Sequence, residues 1–184
     1  MPNSVVPILL RPHLILFFYK ELKSEIDVKH LDKNVKVCKF HPYSTIGRII
    51  KLAIKNANKE SKAAFFYVYF YQNPEEKKQL TGVFYQKERF KESSITFPTD
   101  ITSFLNDYLE DLFRYTFVQK IKNVKEYTPK FEIETLIKDF MVYYELDEFG
   151  FNINSLRKLY HNQKKQPALS RFQNKSSNRV KNFQ

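Results

Sequence analysis

Residues 63–71 constrain the fold more than any other stretch of the chain. These nine residues hold six aromatics and Val68, and no charge. Such a composition belongs in a β-strand, and Asn73-Pro74 ends it. Period two sets Tyr67, Tyr69 and Tyr71 on one face, with Phe66, Val68 and Phe70 on the other. Residues 81–87 read as the antiparallel partner across the polar loop 75–79, and residues 95–97 as a short edge strand. A sheet with aromatic faces needs helices to cover it, and the flanking sequence supplies them.

Upstream, Arg11-Pro12 opens a helix to about residue 23, with Pro12 in the first turn, where its missing N–H is harmless. The apolar stretch 5–19 around it is broken by Pro7, Arg11, Pro12 and His13. It reads as a buried first helix or strand, not as a signal peptide or membrane span. Residues 25–31 and 34–41 alternate and read as two strands around the turn Asp32-Lys33-Asn34. Ser44 or Thr45 then caps a helix to about residue 57. Ile46, Ile49, Ile50, Ala53, Ile54 and Ala57 lie on its apolar side; Arg48, Lys51 and Lys55 lie on the other.

Downstream, Pro98-Thr99-Asp100 starts a helix to about residue 124. Its apolar stripe runs through Ile101, Phe104, Leu105, Tyr108, Leu109, Leu112, Tyr115 and Val118. Thr128-Pro129 breaks it. A further helix spans 131–146, with Gly150 helping to close it. Asn152 or Asn154 caps a last helix, 155–165, and Pro167 ends that. The expected class is α+β: an antiparallel sheet of four to five strands with packed helices, then a helical C-terminal part and a basic flexible tail. The corresponding divisions are a sheet-containing part over 1–98, a three-helix part over 99–166 that continues the same domain, and the tail over 167–184. With 18 Phe, 12 Tyr, no Trp and only 3 Gly, aromatic rings fill much of the core.

Charge is the strongest indication of function. The formal net charge is +11, but it is unevenly placed. Residues 1–100 carry +7, residues 101–150 carry −4, and residues 151–184 carry +8 with no Asp or Glu. Solubility alone would intersperse the signs. An acid-free end of this kind suits a polyanion, above all nucleic acid.

In the last helix Leu156, Leu159 and Tyr160 fall on one side. Arg157, Lys158, His161, Asn162, Lys164 and Lys165 occupy the rest. Arg and Lys neutralise phosphates, while Arg and Asn also pair with base edges in a major groove, which favours DNA over RNA. The pair of helices 131–146 and 155–165 is helix-turn-helix-like. Its connection, 147–153, is longer than the usual turn and carries Asp147 and Glu148. The tail adds Arg171, Lys175, Arg179 and Lys181, spaced to follow a phosphate backbone. Each of these features also has a plain reading as a solvated basic surface.

Two further surfaces are candidates. Tyr67, Tyr69 and Tyr71 could stack bases if that sheet face were open; helices covering it would make them core. The basic helix beginning at Ser44, with Lys36 and Lys39, could form a separate phosphate-contacting patch.

Catalysis has no anchor. With Gly47, Gly82 and Gly150 as the only glycines, no phosphate-cradling loop exists, and no nucleophile motif occurs. His30, Cys38 and His41 lack metal-ligand spacing, so neither a metal nor a cofactor is expected. The carboxylates at Glu145, Asp147 and Glu148, and at Glu110 with Asp111, read as solvated. Cys38, the lone cysteine, fits a reducing cytoplasmic setting. The sequence thus points to a non-enzymatic nucleic-acid-binding protein, of a size that suits an accessory factor of a phage, plasmid or mobile element. The alternative is a protein–protein adaptor that uses the acidic segment 101–150 and the aromatic surfaces, or a subunit of a larger ribonucleoprotein assembly whose tail orders only on RNA. No membrane partner is expected.

Overall fold

A computed structural model of the chain describes residues 5–22, 25–30, 33–56, 66–71 and 98–165. In order, the elements are β1 (Val5–Leu9), α1 (Pro12–Leu22), β2 (Glu25–His30), β3 (Lys33–Phe40), α2 (Thr45–Asn56), β4 (Phe66–Tyr71), α3 (Thr99–Tyr127), α4 (Ile133–Tyr144), a 3-10 turn (Leu146–Phe149) and α5 (Ile153–Gln163). The expected strands at 81–87 and 95–97 and the tail from residue 166 onward lie outside the described residues.

The expectation of an antiparallel sheet of four to five strands is overturned. The described chain is mainly helical: α3 alone, at 29 residues, is longer than the four strands together. Those strands form a small mixed sheet in the order β1-β4-β3-β2. β1 runs parallel to β4, with Val5 opposite Tyr67 and Leu9 opposite Tyr71. β3 is antiparallel to β4, pairing Cys38 with Val68, and β2 is antiparallel to β3. The aromatic strand is therefore an inner one, as its uncharged composition requires, but its neighbours are β1 and β3. The first strand escapes a periodicity argument because Pro7 interrupts it and its partner lies far along the chain.

Two compact units result, Met1–Asn106 and Asp107–Gln184. In the first, Val6, Ile8, Leu14, Ile15, Val37, Cys38, Ile50 and Val68 are fully buried. Asn106 ties the start of α3 to the β1–α1 junction. Its Nδ2 donates to the carbonyls of Leu9 and Thr102, each at 2.9 Å, and its Oδ1 accepts from the Arg11 amide at 2.7 Å. A buried amide with both ends satisfied specifies geometry more than it adds net energy.

The second unit is built on aromatic rings. Phe117 and Phe140 approach to 4.9 Å between centroids, Phe140 and Tyr144 to 4.6 Å, and Phe113 and Phe151 to 5.9 Å. On α3 the buried row is Leu105, Leu109, Phe113, Phe117 and Ile121, rotated from the expected stripe; Phe104 and Tyr115 are exposed. Glu110 and Asp111 are buried, which corrects their reading as solvated carboxylates. Glu110 accepts from Arg114 Nε at 2.6 Å, one helical turn on. Lys125 donates to the carbonyls of Pro129 and Phe131 at 2.6 and 2.8 Å, closing the turn into α4.

Candidate nucleic-acid interface

The C-terminal helix is set by local sequence. Asn152 is its N-cap: its side chain accepts from the Ser155 amide at 2.8 Å, and Ser155 Oγ accepts from the Asn152 amide at 3.2 Å. Two orphan amides are thereby satisfied. Leu156, Leu159 and Tyr160 are buried, matching the apolar side expected of them. The approach from α4 is built with equal care. Glu145, at φ 54°, ends α4 in the left-handed region, and Gly150, at φ 83°, ends the 3-10 turn in the same way. Leu146 and Phe151 anchor that turn in the core.

Opposite the buried side, Asn154, Lys158, His161 and Lys165 are all exposed, with Asn162 beside them. The spacing of four and three residues lines Asn154, Lys158 and His161 along one side of the helix, about 10 Å from first to last at 1.5 Å per residue, and Lys165 follows in the turn just past its end. No carboxylate interrupts the row. Asp147 and Glu148, exposed in the 3-10 turn, lie before the N-terminus of α5.

Arg157 behaves differently from its neighbours. It is half-buried and makes an ion pair with Glu134 of α4, bracing the two helices together. Lys138 joins the same carboxylate at 3.3 Å. Hydrogen bonding and charge from Lys138, then the charge of Arg157, hold the Glu134 carboxyl below its ordinary range. Lys164 is half-buried, with its Nζ 5.7 Å from the centre of the Tyr160 ring. The structure therefore brings Lys158, His161, Asn162 and Lys165 to one open surface and draws Arg157 and Lys164 partly inward.

The remaining candidates are placed less fully. Arg171, Lys175, Arg179 and Lys181 lie outside the described residues. Tyr67, Tyr69 and Tyr71 occupy the inner strand β4 at positions paired with Val5, Pro7 and Leu9. On α2, Arg48 and Lys51 are exposed as expected, and Lys39 is exposed on β3. Exposed Tyr43, in the turn between β3 and α2, is a candidate that sequence reasoning did not single out. A lone tyrosine after a proline gives no periodic signal.

A second surface lies on α3 and α4. A groove of about 340 Å³ is lined by Lys120, Val124, Leu136, Phe140, Tyr143 and Tyr144, among others. Lys120 donates to the Tyr144 hydroxyl, with its ammonium also 5.3 Å from the Tyr143 ring centre. Among the described residues no group of three His, Cys, Asp or Glu side chains could hold a metal ion, and no helix is long and apolar enough to cross a membrane. No protein-family model, curated protein or solved structure matches the chain.

Proposed function

We propose that the protein is a non-enzymatic nucleic-acid-binding protein that grips the phosphate backbone through α5 and the acid-free segment after it. The observation that carries this is the exposed row Asn154, Lys158, His161 and Lys165, two cations and two donors with no acid among them. The mode we infer is phosphate clamping, with base reading secondary. A recognition helix inserts its N-terminal residues into the groove, and here Asp147 and Glu148 stand at that end, where they would repel a phosphate backbone. The cations instead lie toward the C-terminal half of α5 and continue into the segment beyond. Arg157, engaged with Glu134, sets the helix in place. A cytoplasmic setting is part of the proposal, supported by the single cysteine.

The test is a salt series on duplex DNA, single-stranded DNA and structured RNA. If about six phosphates are contacted, log affinity on duplex DNA falls with log salt at a slope of about −5. Ending the chain after residue 163 deletes Lys164, Lys165, Arg171, Lys175, Arg179 and Lys181, and should flatten that slope strongly. No binding to any of the three at low salt would refute the proposal.

One observation favours a second reading, that of a protein–protein adaptor. The α3–α4 groove has apolar walls, and Val142 and Tyr143 are exposed on the same helix. Contiguous exposed apolar surface marks interaction sites. On this reading a partner inserts an apolar side chain beside Lys120, and Leu136→Glu abolishes the association while leaving DNA affinity intact.

A further inference from the structure

We infer that the turn between β3 and α2 is a second and separate nucleic-acid contact, one that stacks an unpaired base of a phosphodiester strand on Tyr43. Residues 33–59 form another tract without a single Asp or Glu, carrying Lys33, Lys36, Lys39, Arg48, Lys51, Lys55 and Lys59. In the middle of it sits Tyr43, 73% exposed. An exposed tyrosine is unremarkable by itself; this one is held. Lys51 Nζ lies 5.3 Å from its ring centre, and the His41 ring is 5.5 Å away at an interplanar angle of 42°. The Tyr43 amide also donates to His41 Nδ1 at 3.3 Å.

The turn beneath the ring is tied by hydrogen bonds. Ser44 Oγ donates to the His41 carbonyl at 2.8 Å and accepts from the Gly47 amide at 3.0 Å. The Ser44 amide also donates to the His41 carbonyl, at 2.9 Å. At Gly47 an added Cβ would stand 2.0 Å from that carbonyl oxygen, so the backbone packs as closely as glycine allows. With the backbone beneath it already ordered by these bonds, less freedom is lost when a base stacks on the ring. Aromatic stacking is indifferent to base identity, since every base has a π-face, and it needs cations nearby to carry the phosphates. Arg48 and Lys51, one turn apart on the exposed side of α2, supply them. The chemistry selects for unpaired bases, because bases within a duplex are not free to stack on a side chain. The site does not depend on α5.

The test uses the full chain and three labelled 12-mers of equal length: dT12, rU12 and an abasic deoxyribose-phosphate strand. Wild-type protein should bind the base-bearing strands more tightly than the abasic one. Tyr43→Ala should weaken binding to dT12 or rU12 by roughly fivefold to a hundredfold, the range expected when one stacked base is given up, and leave abasic binding unchanged. Tyr43→Phe, which keeps the ring, should retain affinity within about twofold on the same grounds. Whichever of dT12 and rU12 responds identifies the sugar that the site accepts. In Lys158→Gln/Lys165→Gln protein the Tyr43-dependent preference should persist even where overall affinity falls, so this site and the α5 proposal can fail separately. Equal binding of dT12 and rU12 by wild type and Tyr43→Ala would overturn the inference, as would a loss that Tyr43→Phe shares.

Discussion

Two glycines control the entry to the two basic helices, and they do so for different reasons. Gly47, in the first turn of α2, has no unusual φ; it is needed because the His41 carbonyl leaves no space for a side chain. Gly150, before α5, is needed for its backbone, since its φ of 83° is one that other residues adopt only at a cost. The first glycine permits a close approach within the turn that carries an exposed ring. The second allows a reversal and aims a helix. Charge alone therefore does not define a site. Both tracts are acid-free and basic, yet the turn into α2 presents an exposed tyrosine beside cations, while α5 buries Tyr160 and exposes only charges and polar donors.

The contrast can be broken by substitution. Gly47→Ala should be the most damaging, costing about 1–3 kcal/mol as the turn is forced apart, read by thermal or urea unfolding. Gly150→Ala should cost about 1–2 kcal/mol, the strain of a left-handed residue. The partner experiment is Glu145→Gly, which relieves the same strain at the end of α4 and should stabilise by less than about 1 kcal/mol, since glycine also gains freedom on unfolding. Equal effects of alanine and serine at Gly47, both near zero, would show that the close approach to His41 is not a constraint.

Asn152→Ala should cost about 1 kcal/mol through loss of the cap on α5, with hydrogen exchange rising first at the amides of residues 154 and 155. The smallest effect concerns pH. Glu134 has a lowered pKa in the folded protein, so its contribution is full above the ordinary carboxylate range and is lost as pH falls through the folded value. Acid should therefore loosen the α4–α5 brace, and Glu134→Gln should remove that part of the pH dependence.

Legibility in the sequence follows range. α5 is readable almost to the residue because its cap, its apolar side and its exposed row are local. The same holds for α1, α2 and the strand character of residues 66–71. What escapes is non-local. Nothing in residues 5–9 says that they pair in parallel with β4, so sequence alone makes the sheet antiparallel. On α3, Phe104 is as apolar as Phe113 and Phe117, and only packing decides which row is buried. Glu110, one turn from Arg114, looks like an exposed helix pair until the core closes over it. Arg157 looks free to read bases because Glu134 is 23 residues away and on another helix. Tyr43 gives no signal because its importance lies in what holds it.

The most direct test of the central claim is the salt dependence of duplex-DNA binding by Lys158→Gln/Lys165→Gln protein beside wild type. Removing two cations from the phosphate backbone should make the slope of log affinity against log salt shallower by about two, with lower affinity on every sequence tried. An unchanged slope and affinity, in a variant that folds as the parent does, would contradict the claim that the open row of α5 grips a polyphosphate.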